Sequence, residues 1–175
     1  MSELVSPAPI EVAEGTPGDD FDALYRERAG PVLLMFVRLT GSRADSEDLT
    51  QEVFVRAWGA WSSFRAESKA GTWLHSIALR VFVDWTRTPI QRIRRLSDAL
   101  DRVPDIAAGA LVPLADVDLE RAIARLPPKI REAVVLHYLE GFPLAELARH
   151  LGRSSGTLKA QLHAGRSKLR KELDT

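Results

Sequence analysis

Residues 144–171 read LAELARHLGRSSGTLKAQLHAGRSKLRK, and this stretch decides the fold. Leu144, Leu147, Ala148 and Leu151 recur at i, i+3, i+4 and i+7, the spacing of one buried helix face. Gly152 supplies a permissive backbone for a tight turn. Ser154 or Ser155 is placed to cap the next helix, because a short hydroxyl satisfies its free amides. In that second helix Leu158, Leu162, Gly165, Leu169 and Leu173 share the expected buried side. Arg153, Lys159, Arg166, Lys168, Arg170 and Lys171 lie elsewhere, opposed only by Glu172. Two short helices joined by a tight turn, the second one cationic, make the layout of a helix-turn-helix that lays its second helix in the DNA major groove. An amphipathic hairpin with a solvated basic face shares the periodicity, but the concentration of cations favours DNA.

The net charge of the 175 residues is zero, which taken alone argues against a polyanion. That zero averages blocks of opposite sign. Residues 1–20 hold Glu3, Glu11, Glu14, Asp19 and Asp20 and no cation. Residues 64–95 hold seven Arg or Lys against Glu67 and Asp84, residues 96–120 hold six acids against Arg102, and 153–172 turn basic again. Such alternation implies a distributed polyanion-binding surface with acidic spacers. The absence of cysteine excludes disulfides, thiol catalysis and cysteine–zinc sites, and the absence of Asn excludes a glycosylation sequon. No apolar run approaches the roughly 20 residues of a membrane span, and the acidic start does not resemble a signal peptide. A soluble cytoplasmic protein without cofactor or metal is expected.

Outward from the helix-turn-helix, the chain divides into four parts. Residues 1–20, with Pro7, Pro9 and Pro17 among acids, read as a disordered tail. Residues 21–95 carry helical patterns: one from Phe21, which Gly30-Pro31 is placed to kink; one over about 44–58, acidic at its start; one from a Thr72 cap to Thr86, stopped by Pro89. Residues 96–115 read as a linker able to span at most roughly 66 Å. A last domain, 116–175, begins near Asp116, opens its second helix at Pro127-Pro128 and closes it at Gly141. With no strand alternation, the expected fold is all-α in two small helical domains, each with a core small enough for marginal independent stability.

Two further surfaces stand out. In the helix from Thr72, Trp73, Leu74, Ile77, Ala78, Val81 and Trp85 form the expected buried face, whereas Ser76, Arg80, Val83 and Arg87 line another. With Arg65 and Lys69 in the preceding loop, that stripe is suited to track a phosphate backbone. Trp73, close to the loop, is placed to stack on an unpaired base. A solvated helix with its tryptophan in the core fits the same pattern. In the 44–58 helix, Leu49, Val53, Ala57 and Trp58 are expected inward and Glu47, Asp48, Gln51, Glu52 and Arg56 outward. That mostly acidic face repels DNA and suits a protein partner, or plain solvent.

The order of parts resembles a known family. Asp48-Leu49-Thr50-Gln51-Glu52-Val53-Phe54-Val55-Arg56-Ala57-Trp58 precedes Phe64-Arg65 and Thr72-Trp73-Leu74-His75-Ser76-Ile77-Ala78, followed by Asp84 and Arg87. After the linker come Leu126-Pro127-Pro128-Lys129-Ile130-Arg131-Glu132-Ala133-Val134 and the helix-turn-helix. The ordered set, covering about Phe21 to Leu173, is similar to bacterial RNA polymerase sigma factors of the extracytoplasmic-function group. The resemblance implies that Glu47, Asp48, Gln51, Glu52, Phe54 and Arg56 dock on the clamp helices of core RNA polymerase. It implies that Arg65, Lys69, Trp73, Ser76, Arg80 and Arg87 melt and read a −10-type promoter element. Arg153, Ser155, Thr157, Lys159, Gln161, His163, Arg166 and Arg170 would then meet the −35-type element. The linker would thread toward the polymerase active-site and RNA-exit channels, and an anti-sigma factor would hold the chain inactive, with Leu79 and Phe82 as candidate contacts.

The chain departs from the family pattern at telling places. Leu79-Arg80 stands where many members have Arg-Asn, and with no Asn present adenine is not read by the usual Asn pairing. Gln161 and Ala164 replace arginines common in the recognition helix. The expected groove-facing arc, Gly156, Thr157, Ala160, His163, Ala164 and Ser167, is made of small residues. Lys159, Arg166 and Arg170 are therefore expected to hold phosphates, with Thr157, Gln161 and His163 supplying limited base readout.

Other classes fit less of the sequence. His75, His137, His150 and His163 form no metal-ligand spacing, and no HExxH, phosphate-binding glycine loop or nucleophile elbow is present, so an enzyme is not expected. A stand-alone helix-turn-helix regulator leaves the acidic helix and the aromatic-plus-basic segment unexplained. A protein-interaction module that has lost DNA binding is the remaining alternative, suggested by the departures.

Overall fold

The structure is a computed structural model and describes residues 17–65, 68–91, 93 and 116–174. Among these, the regular structure is helical: α1 (Pro17–Thr40), α2 (Arg43–Trp61), α3 (Ala70–Thr86), α4 (Val117–Ala124), α5 (Pro128–Val134) with a π-helical turn over Val135–Leu139, α6 (Leu144–Leu151) and α7 (Ser155–Leu173). The all-α expectation holds. Most of the expected tail and the whole of the expected linker lie outside the described residues, although α1 begins inside that tail, at Pro17.

Local chemistry places most helix ends. Gly41, at φ +66°, turns the chain out of α1. Ser42 caps α2 by accepting from the Asp45 amide, and the buried Ser46 hydroxyl donates back to the Ser42 carbonyl at 2.6 Å. Asp116 caps α4 through the amides of Asp118 and Leu119, at 3.1 and 3.0 Å. Pro128 opens α5 where its missing N–H costs nothing. Gly152, at φ +62°, ends α6, and Ser154 rather than Ser155 caps α7 through the Thr157 amide at 3.0 Å.

Pro31 lies inside α1, which runs on through Gly30-Pro31 with buried side chains on both sides, from Leu24 to Phe36. Two boundary expectations change. Thr72 is not the cap of α3; the helix starts at Ala70 after Lys69, which makes no side-chain capping bond. The second helix runs on to Trp61.

In the N-terminal half, Phe21, Leu24, Val32, Met35, Phe36 and Leu39 of α1 pack on Leu49, Val53 and Ala57 of α2 and on the apolar side chains of α3. In the C-terminal half, α7 lies on α5 so closely that a methyl group at Gly165 would overlap Val134 and crowd Ile130. The halves also meet each other. Ile123, Leu126, Leu136, Phe142 and Leu147 belong to the same buried cluster as the N-terminal core, and α1 touches α4 and α5 while α3 touches α6.

Candidate nucleic-acid and protein interfaces

The loop between α2 and α3 gathers aromatic rings. Phe64 stacks on Trp61 with centroids 5.3 Å apart and planes at 12°, and Trp73 leans on both, 5.0 Å from Phe64 and 5.8 Å from Trp61. All three rings are half-buried, so each keeps surface for a further planar partner. Arg65 and Lys69 are exposed beside them. Sequence reasoning missed one cation: Arg28 of α1 lies across the start of α3, its guanidinium 2.7 Å from where a Cβ on Gly71 would be. A Cβ there would make the guanidinium swing aside. The arrangement offers stacking surface ringed by positive charge, the chemistry that holds single-stranded nucleic acid.

Along α3 the expected polar stripe is only partly a surface. Arg80 and Arg87 are exposed, while Ser76 is half-buried and donates to the Thr72 carbonyl at 3.2 Å. Val83 is buried. Leu79 and Phe82 are fully buried, which removes them as partner contacts. The reason is that α3 packs against α1, α2 and α6, and a helix enclosed on several sides is apolar nearly all round.

On α2, Glu47, Asp48, Gln51, Glu52 and Arg56 are exposed as expected. Arg43 pairs with Glu47 at 2.7 Å, and Arg56 pairs with Glu52 at 2.6 Å and reaches Asp84 of α3 at 2.9 Å. The hydrogen bond to Asp84, then that to Glu52, pushes the Arg56 guanidinium above its ordinary pKa. Phe54 departs from expectation: it is buried, edge-on to Phe21 and Tyr25. Trp58 departs the other way, 59% exposed instead of inward. It touches Phe21 edge-on at 5.0 Å; Val55, one turn before it on α2, and Tyr25, one turn after Phe21 on α1, are exposed apolar residues as well. Gln51, Val55 and Trp58 share a helix face at i, i+4 and i+7, so a polar row continues into an apolar one.

On α7, Leu158, Leu162 and Gly165 are buried and Leu169 half-buried, but Leu173 is exposed. Ser155, Thr157, Lys159, His163, Arg166 and Arg170 are exposed, together with Gly156, Ala160, Ser167 and Lys168. Arg153 is different. It forms an ion pair with the buried Glu132 and donates to the Lys129 carbonyl and to Gln161 Oε1, each at 3.2 Å. Burial pushes its guanidinium below the ordinary pKa. Arg153 thus points into the domain, and Gln161 is half-buried with one end of its amide engaged. No group of three or more His, Cys, Asp or Glu among the described residues is placed to hold a metal ion, and no described helix is long and apolar enough to cross a membrane.

Known proteins share this arrangement. The family model for Sigma-70 region 2 matches residues 24–89, and that for Sigma-70, region 4 matches 116–169. The chain is 35% identical over 162 residues to ECF RNA polymerase sigma factor SigE of Mycolicibacterium smegmatis, covering 86% of this chain and 60% of that longer protein. It is 30% identical to ECF RNA polymerase sigma factor SigW of Bacillus subtilis, covering 88% and 87% of the two chains. The sigma factor RpoE, solved in complex with the anti-sigma factor NepR from Bartonella quintana, superposes with a TM-score of 0.61 at 25% identity, covering 90% of this chain and 98% of that one.

Proposed function

The chain belongs to the extracytoplasmic-function RNA polymerase sigma factors, and from that premise we propose that it binds core RNA polymerase and directs promoter-specific initiation. Residues 21–95 form the polymerase-docking and −10-reading unit, and residues 116–175 the unit that meets the −35 element. Catalysis resides in the polymerase, and the chain acts in the cytoplasm as a specificity subunit.

The observation that carries this reading is the pairing of unlike surfaces on α2 and α3. Acids and exposed apolar residues on α2, from Glu47 to Trp58, suit a protein surface. The Trp61–Phe64–Trp73 rings with Arg28, Arg65, Lys69 and Arg80 suit an unpaired DNA strand. A stand-alone duplex-binding regulator has no use for either. On α7, Lys159, Arg166 and Arg170 hold phosphates, and Thr157 and His163 reach bases among small neighbours that permit close approach to the groove. An anti-sigma factor restrains the chain, a reading supported by the Bartonella quintana relative, which was solved in complex with an anti-sigma factor.

The test mixes the full chain with core polymerase and maps transcription starts on genomic DNA. Starts that share upstream elements and vanish without the chain are expected. Failure to bind core, or binding without specific starts, overturns the proposal.

A further inference from the structure

We propose that the free chain holds itself closed through a polar latch, in which Arg38 and His75 of the N-terminal half grip Glu120 and Glu140 of the C-terminal half, and that this latch must open before both promoter elements are engaged. The consequence for promoters rests on the functional reading above; the latch itself does not.

The contacts join residues far apart in sequence. Arg38 Nε donates to both carboxylate oxygens of Glu120, at 3.1 and 3.0 Å, and the two side chains are only 18% and 5% exposed. Glu140 bridges two helices: one oxygen lies 4.0 Å from Arg38 on α1, and the other accepts from His75 Nε2 on α3 at 2.9 Å. The His75 ring also stacks on buried Phe142, with centroids 4.3 Å apart, and the Phe142 carbonyl accepts from His137 Nδ1 at 2.8 Å. Arg87 donates to the His150 carbonyl of α6 at 3.1 Å. Apolar burial between the halves is non-directional. A forked guanidinium–carboxylate bond and a bridging carboxylate fix one register.

Closure and promoter reading exclude each other on two counts. Arg87, proposed for −10 DNA, is tied by one guanidinium nitrogen to the α6 backbone when the halves are closed, which fixes its direction. Elements named −10 and −35 lie about 25 base pairs apart, roughly 85 Å of duplex, whereas Arg87 puts the end of α3 in contact with the helix-turn-helix itself. The acidic face of α2 remains exposed in the closed form. Docking through that face therefore does not require opening.

The chain lacks cysteine, so Ala44→Cys and Asp174→Cys, one exposed position in each half, give a clean pair for fluorophores. Single-molecule energy transfer on the free full chain should show one compact population. Arg38→Ala leaves Glu120 buried without its guanidinium only when closed, so the open population should rise about tenfold or more, with His75→Ala acting in the same direction. If Arg38→Ala loses its helical circular dichroism, Glu140→Gln, which keeps the shape and removes the charge, decides by the same shift. A free wild-type chain already extended, or folded variants as compact as wild type, would overturn the latch. No polymerase enters this measurement, so a chain that opens on substitution yet directs no specific start keeps the latch and loses the functional reading.

Discussion

Glu132 on α5 holds Arg153, the residue that follows the left-handed turn of the helix-turn-helix, in an ion pair shielded from solvent. Arg153 is thus a strut between α5 and α7. Arg153→Ala takes the guanidinium away from a buried carboxylate, and losing one partner of such a pair costs about 3 kcal/mol. In a chain of this size that lowers Tm by roughly 6–12 °C. A differential scanning experiment should show the loss, while the salt dependence of DNA binding stays near wild type. An unchanged Tm with a shallower salt slope would return Arg153 to the phosphate contacts.

Gly165 makes the same domain sensitive to a single methyl group. Alanine gains up to about 1 kcal/mol of helix propensity over glycine, but here its Cβ would overlap Val134 and lie 3.1 Å from Ile130 Cγ2. Both neighbours are β-branched and stiff at χ1, so overpacking of about 1–3 kcal/mol should win. Gly165→Ala is expected to lower Tm. Gly156→Ala, whose new atom meets only Ser154 Oγ at 3.8 Å, is expected to hold or raise it.

The helix punctuation was legible in the sequence because it is local: Gly152, Ser154, Asp116, Pro128 and Gly141 act on neighbours within a few residues. Part of the site was also legible and was misread. Trp58 lies about 180° around α2 from Leu49 at 100° per residue, so periodicity alone places it outside. Aromatic bulk favours the core and points the other way, and the structure follows the periodicity. Leu79, Phe82 and Phe54 were illegible for another reason. Their burial depends on which helices enclose α2 and α3, and that is a long-range fact. The same holds for Arg28 over Gly71 and for the contacts of Arg38 and His75, which no spacing rule connects.

Trp58 and Asp48 should separate stability from docking. Trp58 is largely exposed, so Trp58→Ala should leave Tm within a few degrees. An exposed aromatic beside an apolar neighbour has the character of an interface anchor, and truncating an anchor costs 2 kcal/mol or more, about thirtyfold in affinity for core polymerase. Asp48→Lys reverses a charge on the same face and should weaken core binding in a salt-sensitive way. Binding titrations with purified core decide both. Unchanged affinity in the two variants would move the docking surface off α2.

Arg80 and Trp73 are proposed to act after docking, at promoter melting. Arg80 is exposed on α3 and is not one of the α2 residues proposed to dock, so Arg80→Ala should bind core normally. It should reduce open-complex formation, read as permanganate reactivity of unpaired thymines. Trp73→Ala removes a ring from the Trp61–Phe64 stack, and each lost base–aromatic stack costs about 1–3 kcal/mol. A promoter supplied already unpaired over the −10 element should rescue Arg80→Ala more than Trp73→Ala, because stacking on the unpaired base is still required after melting.

On α7 the division between anchoring and reading is separable by salt. Lys159, Arg166 and Arg170 are exposed on a helix whose groove side is otherwise small. If they neutralise phosphates, each alanine variant should weaken binding to every −35 sequence alike and reduce the salt slope by about 1. His163→Ala should leave the slope in place and change the ranking of sequences instead, since base-edge contacts carry discrimination of about 1–3 kcal/mol each. Gln161 is the more constrained reader. Arg153 occupies its amide oxygen, so its free end is a donor and favours acceptor-bearing base edges such as guanine O6 or N7. Gln161→Glu reverses that end to an acceptor while keeping the link to Arg153. It should shift preference away from those bases without changing Tm by more than a few degrees. Uniform loss across all sequences in both His163→Ala and Gln161→Glu would show that α7 reads shape and charge alone.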